Sequence, residues 1–289
     1  MRLSLVPYFG GKQFMVNKLL AILPEHERYI EPFGGAAALL LNKPPRYDVY
    51  NDVNSNIVTL FRVMRDKEKF DELKRLLYLT PFSREENGEY KKDLRNGTID
   101  SDVERAYKWY YVIRTSFSGK HDGGFSVDLG LTSRRTLMSY LNGIDKLDYI
   151  AERMRNVVIE HKDFREIFDI YISAWDDKSV CYCDPPYVPE TRRDGGYECE
   201  MSLDDHADLV EMLIRYENTI KFILSGYANK LYEKLEERGW RRIDFDAVCH
   251  AAGRTRTSKM RGAGGQSKHQ KRVESVWINY DSVAIDKLF

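Results

Sequence analysis

The sequence predicts an α/β protein built on a mostly parallel sheet and interrupted by an inserted, mostly helical subdomain. Three observations predict it. Short apolar runs of strand length recur at 28–31, 47–50, 157–160, 180–183 and 220–224, and glycine turns or amphipathic helical patterns follow them. That alternation is the signature of βα units. The last two strand-like runs, 241–249 and 273–280, have no helical pattern between them, so they pair as an antiparallel hairpin at the edge of the sheet. From residue 66 the alternation stops, and charge and aromatic residues dominate up to about residue 140. The predicted organisation is a main domain formed by 1–65 and 146–289, with 66–145 inserted.

Composition sets limits. A chain of 289 residues is one large domain or one domain with a substantial insertion. Lys+Arg and Asp+Glu are both 45, so affinity for a polyanion has to come from local clustering, not from overall charge. The cysteines at 181, 183, 199 and 249 contain no CxxC pair, so neither a zinc ribbon nor a redox motif is indicated. Cys181 and Cys183 share one face of a strand and read as small buried residues. The N-terminal MRLSLVPYFGGK lacks an apolar signal core, and no apolar run approaches membrane-spanning length, so a reducing, cytoplasmic setting is expected.

Taken in order, Pro7 to Lys12 is a Gly-Gly turn carrying a cation. It lacks Walker spacing, and alone it reads first as a Gly-Gly turn with a solvated Lys. A helix follows, with Phe14/Met15, Lys18-Leu19 and Ile22-Leu23 at helical spacing, and Pro24 ends it. Strand 28–31 then runs into Pro32-Phe33-Gly34-Gly35, and Ala36–Leu41 reads as the start of a tightly packed helix. A strand, a glycine turn and a small-residue helix are the ingredients of a mononucleotide-binding unit. Asp52 ends the second strand about 20 residues past the glycines, where such units hold ribose hydroxyls. It also stands where it would cap the helix begun by Ile57, Leu60, Phe61 and Met64.

Within the insertion, 118–126 is glycine-rich and polar and ends in Phe125-Ser126. It reads as a hairpin, either touching a partner or simply turning the chain. After strand 157–160, Asp163 and Phe164 suit a flat ring bearing an amino group, and equally a helix cap with a core residue. Loop 189–200, charged and carrying Gly195-Gly196, is expected to move and close over substrate. After Asp246 no acidic residue occurs until Glu274, while Arg254, Arg256, Lys259, Arg261, Lys268, Lys271 and Arg272 lie between. This basic loop is a phosphate-binding candidate in a neutral chain.

The chemistry centres on Asp184-Pro185-Pro186-Tyr187. Two prolines end the strand because neither donates to a ladder. A residue before proline is held extended, which fixes the Asp184 carboxylate and the Pro185 carbonyl in direction. Two acceptors and a ring within four residues suit a planar base with an exocyclic amine. A plain Pro-Pro turn, with Asp184 as turn residue and Tyr187 as rim packing, is the other reading.

The set PYFGGK, EPFGGAAALLLN, YNDVNS, HKDF and CYCDPPY, in that order, resembles the Dam-like class of DNA adenine-N6 methyltransferases, from residue 7 to about 280. The resemblance implies a class I methyltransferase fold with a Rossmann-like, mostly parallel seven-stranded sheet, helices on both faces and a target-recognition insertion. It implies S-adenosyl-L-methionine as cofactor and no metal. It implies cofactor contacts from Tyr8, Lys12, Glu31, Phe33, Gly35, Asp52, Asp163, Phe164 and Asp184, with Lys12 near the cofactor carboxylate. It assigns the target base to Asp184, Pro185, Pro186 and Tyr187. It places Arg114, Gly119, Lys120, Phe125 and Ser126 where the family hairpin enters double-stranded DNA. Position 37 is Ala where the family turn often has a second Gly. The expected reaction is methyl transfer to a flipped-out adenine. The alternatives are N4-cytosine methylation, an RNA substrate, and a non-catalytic DNA-binding regulator on the same fold. A restriction endonuclease partner is compatible with the family but not physically required.

Overall fold

A computed structural model describes residues 2–8, 10–127, 135–191, 197–248 and 271–282. Its sheet contains β1 (Arg28–Glu31), β2 (Tyr47–Asn51), β3 (Val157–Glu160), β4 (Ser179–Cys183), β5 (Lys221–Gly226), β6 (Arg241–Val248) and β7 (Lys271–Ile278), in the order β3-β2-β1-β4-β5-β7-β6. The first five strands are parallel, with Ile30 opposite both Val49 and Cys181. β7 runs antiparallel to both β5 and β6. The predicted edge hairpin is therefore present, with β7 as its inner strand. The seven-stranded, mostly parallel sheet is the one the motifs imply.

Strand order decides where a site can form. From β1 the chain builds outward to β2 and β3, and later returns to the other side of β1 as β4. The reversal opens a crevice beyond the carboxyl ends of β1 and β4, the usual ligand position in such sheets. β1 ends at Glu31 and β4 ends one residue before Asp184.

Both faces of the sheet are covered, as the period-two side-chain alternation requires. Tyr29, Val180, Tyr182 and Ile223 belong to one buried cluster. The intervening Ile30, Cys181, Phe222 and Leu224 belong to another, with α8 (Phe164–Ile170), α9 (Leu203–Tyr216) and α10 (Lys230–Glu237) packed there. The first cluster takes α1 (Val16–Ile22), α2 (Ser55–Arg65) and α7 (Leu147–Met154). It also takes α3 (Lys67–Leu79), α5 (Asp102–Thr115) and α6 (Arg135–Asp145), while Tyr90 and Leu94 of α4 (Arg84–Asn96) pack against it. Trp109, Tyr110 and Tyr111 of α5 are buried there, so segment 66–145 shares its core with one sheet face. Its helices start where side-chain oxygens cap free N–H groups: Asp66 for α3, Ser83 for α4 and Ser101 for α5.

The structure corrects one element. Ala36–Leu41 forms successive turns, not a helix. Gly35 and Ala37 both have positive φ, +46° and +53°, which an α-helix cannot contain. The Leu40 N–H leaves the helical pattern to donate to Glu31 Oε1 at 2.9 Å. Nearby, Lys43 and Arg153 both pair with the fully buried Asp48, at 2.6 and 2.5 Å. This network ties β2 to the turn and to α7.

Candidate active site

The cofactor residues expected from the sequence converge. Tyr8, Lys12, Glu31, Phe33, Gly35, Asp52, Asp163, Phe164 and Asp184 all line one cavity of about 220 Å³ at the predicted crevice. Its floor is the turn after β1. A Cβ on Gly34 would lie 2.2 Å from the Tyr50 ring, and one on Gly35 would meet the Tyr8 ring at 3.3 Å. Only glycine permits backbone and aromatics to approach this closely. Asp52 holds the turn: its carboxylate accepts from the Gly35 N–H at 2.7 Å and the Asn54 N–H at 2.8 Å. Asn54, not Asp52, caps α2.

At the far wall, Phe33 and Phe164 lie 5.3 Å apart, centroid to centroid. Asp163 caps α8 through the Arg165 N–H, and Phe164 is buried. Both structural readings of this pair therefore hold while both residues also face the cavity. The lining is strongly acidic: Glu31, Asp52, Asp163, Asp184, Glu198, Glu200 and Asp205 stand against Lys12 and Lys162. Burial pushes Asp52 up to about 6 and Glu31 up to about 8, in each case against hydrogen bonds that favour the ionised form. A site with this charge suits a cationic ligand.

The corner after β4 closes the cavity. Asp184 and Pro186 line it. Lys12 Nζ sits 2.7 Å from Asp184 Oδ1 and donates to the Gly10 carbonyl at 2.8 Å. The same ammonium stands 4.7 Å from the centroid of the Tyr187 ring. Burial raises the Asp184 pKa, and Lys12 is the chief influence pulling it back. Tyr187 is buried beside the cavity: its hydroxyl donates to Glu274 on β7, and its ring meets Tyr227 edge-on at 4.5 Å. This burial agrees with a packing role for Tyr187, while Lys12 occupies one face of its ring. A nitrogen donor thus already lies between the corner carboxylate and the corner ring.

The D12 class N6 adenine-specific DNA methyltransferase family is matched over residues 8–247. The chain belongs to that family. It is 30% identical over 283 residues to Type II methyltransferase M1.LlaDCHI of Lactococcus lactis subsp. cremoris, covering 94% of this chain and 93% of that protein. It is 24% identical to a DNA adenine methylase of Vibrio cholerae over 90% and 91% of the two chains. It is also 24% identical to one of Haemophilus influenzae over 78% and 80%. The protein is therefore an enzyme, an adenine-specific DNA methyltransferase.

The methyltransferase's expected DNA contacts are more mixed. Ser116 and Phe125 form an antiparallel bridge, with Phe117 N–H donating to Gly124 O and Ser126 N–H to Thr115 O. The turn between them is the expected hairpin. Phe125 is half-buried against Phe82, with the Arg84 guanidinium over its ring. Lys120 and Ser126 are partly exposed. Arg114 departs from expectation: it is buried, and its guanidinium donates to the Ser4, Leu5 and Ser139 carbonyls and the Tyr110 hydroxyl. In this arrangement it clamps the N-terminal segment and offers nothing to a phosphate. Gly119 is likewise buried, packed on Pro7. Arg254, Arg256, Lys259, Arg261 and Lys268 lie outside the described residues, and for Lys271 and Arg272 only the strand backbone is described.

Sequence reasoning missed Glu198. Its carboxylate accepts from Asn54 Nδ2 at 2.8 Å, from Trp109 Nε1 at 3.1 Å and from Asn56 Nδ2. The only signal was its place in the loop behind the corner. No group of His, Cys, Asp and Glu suited to a metal occurs among the described residues, and no helix among them is long and apolar enough to cross a membrane.

Proposed function

We propose that this methyltransferase holds S-adenosylmethionine in the acidic cavity and receives the target adenine, flipped out of duplex DNA, at Asp184, the Pro185 carbonyl and Tyr187. The observation that carries this reading is the Lys12 ammonium, set 2.7 Å from Asp184 and over the Tyr187 ring. It stands where an exocyclic amine would have to sit to use the same acceptor and the same ring face. Entry of the base then requires Lys12 to withdraw, and the cavity it lines is where a cofactor carboxylate would meet it.

The residues fit the cofactor. The glycine turn at 34–35 admits a ligand close to the backbone, Asp52 suits ribose hydroxyls, and the Phe33–Phe164 pair with Asp163 suits an amino-bearing ring. The acidic lining suits a ligand with positive sulfur and a positive amine. When bound, the cofactor supplies a methyl carbon activated by its sulfonium. Asp184 and the Pro185 carbonyl accept hydrogen bonds from the two N6–H groups, and the one proton that N6 loses on methylation leaves by way of the Asp184 carboxylate. Both bonds strengthen as the amine pyramidalises and gains positive charge, so they favour the transition state over the flat ground state. Alignment of amine and methyl carbon supplies the remainder. Segment 66–145 acts as the target-recognition subdomain, with Lys120, Phe125 and Ser126 on its hairpin toward DNA and Arg114 and Gly119 holding that hairpin in place.

Asp184→Asn tests the assignment, because it keeps the shape and loses the charge. The kcat is expected to fall roughly 10²–10³-fold, the usual cost of one transition-state hydrogen-bond partner, while cofactor binding stays within a few fold. Near-wild-type turnover would remove Asp184 from the chemistry.

A further inference from the structure

The cavity and the DNA-facing segment are joined by contacts that the methyl-transfer chemistry does not require. α5 leads directly into the hairpin at 116–126, and the two together touch the cofactor side at three places. Its Trp109 Nε1–H donates to Glu198 at 3.1 Å. Its Arg114 donates to the carbonyls of Ser4, at 3.2 Å, and Leu5, at 2.7 Å, just ahead of the cavity residue Tyr8. Beyond its end, Gly119 packs so closely on Pro7 that a Cβ there would lie 1.5 Å from the Pro7 oxygen.

Glu198 is the polar joint of this set. It belongs to the described stretch 197–201 behind the catalytic corner, all of which lines the cavity. Its partners come from two different elements: Asn54 and Asn56 at the start of α2, and Trp109 on α5. All three donors are neutral side-chain N–H groups, and charge-assisted bonds of this kind are stronger than neutral ones. Asn54 itself caps α2 beside Asp52, which holds the glycine turn. The chain of contacts therefore runs from hairpin to α5, to Glu198, to the α2 start, to the cavity floor.

We propose, building on the cofactor assignment above, that Glu198 is a positioning residue that closes the cofactor cavity and, through Trp109, makes cofactor and DNA binding cooperative. Motion of α5 when the hairpin meets DNA changes the hold on Glu198. Cofactor binding, by ordering the wall that Glu198 anchors, presents α5 in the DNA-binding position. Reciprocity is thermodynamically required: whatever factor DNA adds to cofactor affinity, the cofactor adds to DNA affinity.

The test uses the full chain and three proteins: wild type, Glu198→Ala and Trp109→Phe. The Phe variant keeps an aromatic ring on α5 and deletes the N–H, so it reports on the joint even if the Ala variant folds poorly. Affinity for S-adenosylhomocysteine, which has no methyl group to transfer, is measured by calorimetry with and without an unmethylated duplex, and kcat and KM for S-adenosylmethionine are measured in parallel. Wild type is expected to bind the cofactor more tightly with duplex present. Trp109→Phe is expected to lose about tenfold in cofactor affinity in that complex, the scale of one hydrogen bond to a charged group, and to lose most of the duplex dependence. The defect appears in KM for the cofactor more than in kcat, which a general loss of stability would not produce. Equal duplex dependence in wild type and Trp109→Phe overturns the coupling. If wild type binds no S-adenosylmethionine at all, the cofactor assignment fails instead, so the two failures are distinguishable.

Discussion

Glu31 offers a prediction in which burial is the largest influence. Its carboxyl is 1% exposed at the end of β1, where Oε1 accepts from the Tyr29 hydroxyl at 2.6 Å and the Leu40 N–H at 2.9 Å. Burial is the largest influence on it. It raises the pKa from 4.5 to about 8, with Asp184 adding to the rise and the two hydrogen bonds and Lys43 opposing it. A carboxyl with a raised folded-state pKa contributes stability that is fully present below 4.5 and lost as pH rises through about 8. At about 1.4 kcal/mol per pH unit, the loss between pH 6 and pH 8 is on the order of 2 kcal/mol. Asp52 acts with the same sign, but its window closes near pH 6. Glu31→Gln keeps an oxygen for Tyr29 and Leu40 and cannot ionise. Urea unfolding at pH 6, 7 and 8 should therefore show wild type losing about 2 kcal/mol more than Glu31→Gln across that range. Parallel curves for the two proteins would refute the argument. The same ionisation links to the ligand. A cation placed beside Glu31 expels its proton, so S-adenosylmethionine affinity should rise with pH toward 8 in wild type, by at most about tenfold per unit, and the rise should shrink in Glu31→Gln.

Two other outcomes follow from single contacts. Lys12→Met removes the main influence that keeps Asp184 ionised. The acid limb of its kcat/KM profile should shift to higher pH, with partial recovery of activity in alkali, and an unmoved limb would contradict the pairing. Gly119→Ala forces a side chain onto a residue with φ +65° and a Cβ 1.5 Å from the Pro7 oxygen. It should destabilise the fold by roughly 3 kcal/mol or more. Gly124→Ala, in the same hairpin with open space around its Cβ, should melt within a degree or two of wild type.

The parts legible in the sequence were those set by local pattern. The strands at 28–31 and 157–160 and the helix at 203–216 fall where apolar period and capping residues put them. The residues that line the cavity were legible as a set because glycines and strand-end carboxylates occur at spacings the fold uses. What local pattern does not carry is where a side chain's partners lie. Ala36–Leu41 has helical composition, but positive φ at Gly35 and Ala37 prevents a helix. Arg114 has the charge of a phosphate ligand, yet two of its carbonyl acceptors, Ser4 and Leu5, lie about 110 residues away in sequence. Tyr187 reads as a free stacking surface until β7 brings Glu274 to its hydroxyl. Glu198 has no motif, because its three donors come from positions 54, 56 and 109.

The central claim is that Asp184, Pro185 and Tyr187 present an adenine amine for methylation. The most direct measurement is transfer of label from S-adenosylmethionine to unmethylated genomic DNA, followed by digestion to nucleosides. Label is expected in N6-methyladenine from wild type and none above background from Asp184→Ala, with cofactor binding retained in that variant. Label in N4-methylcytosine, or equal labelling by the Asp184→Ala protein, would contradict it.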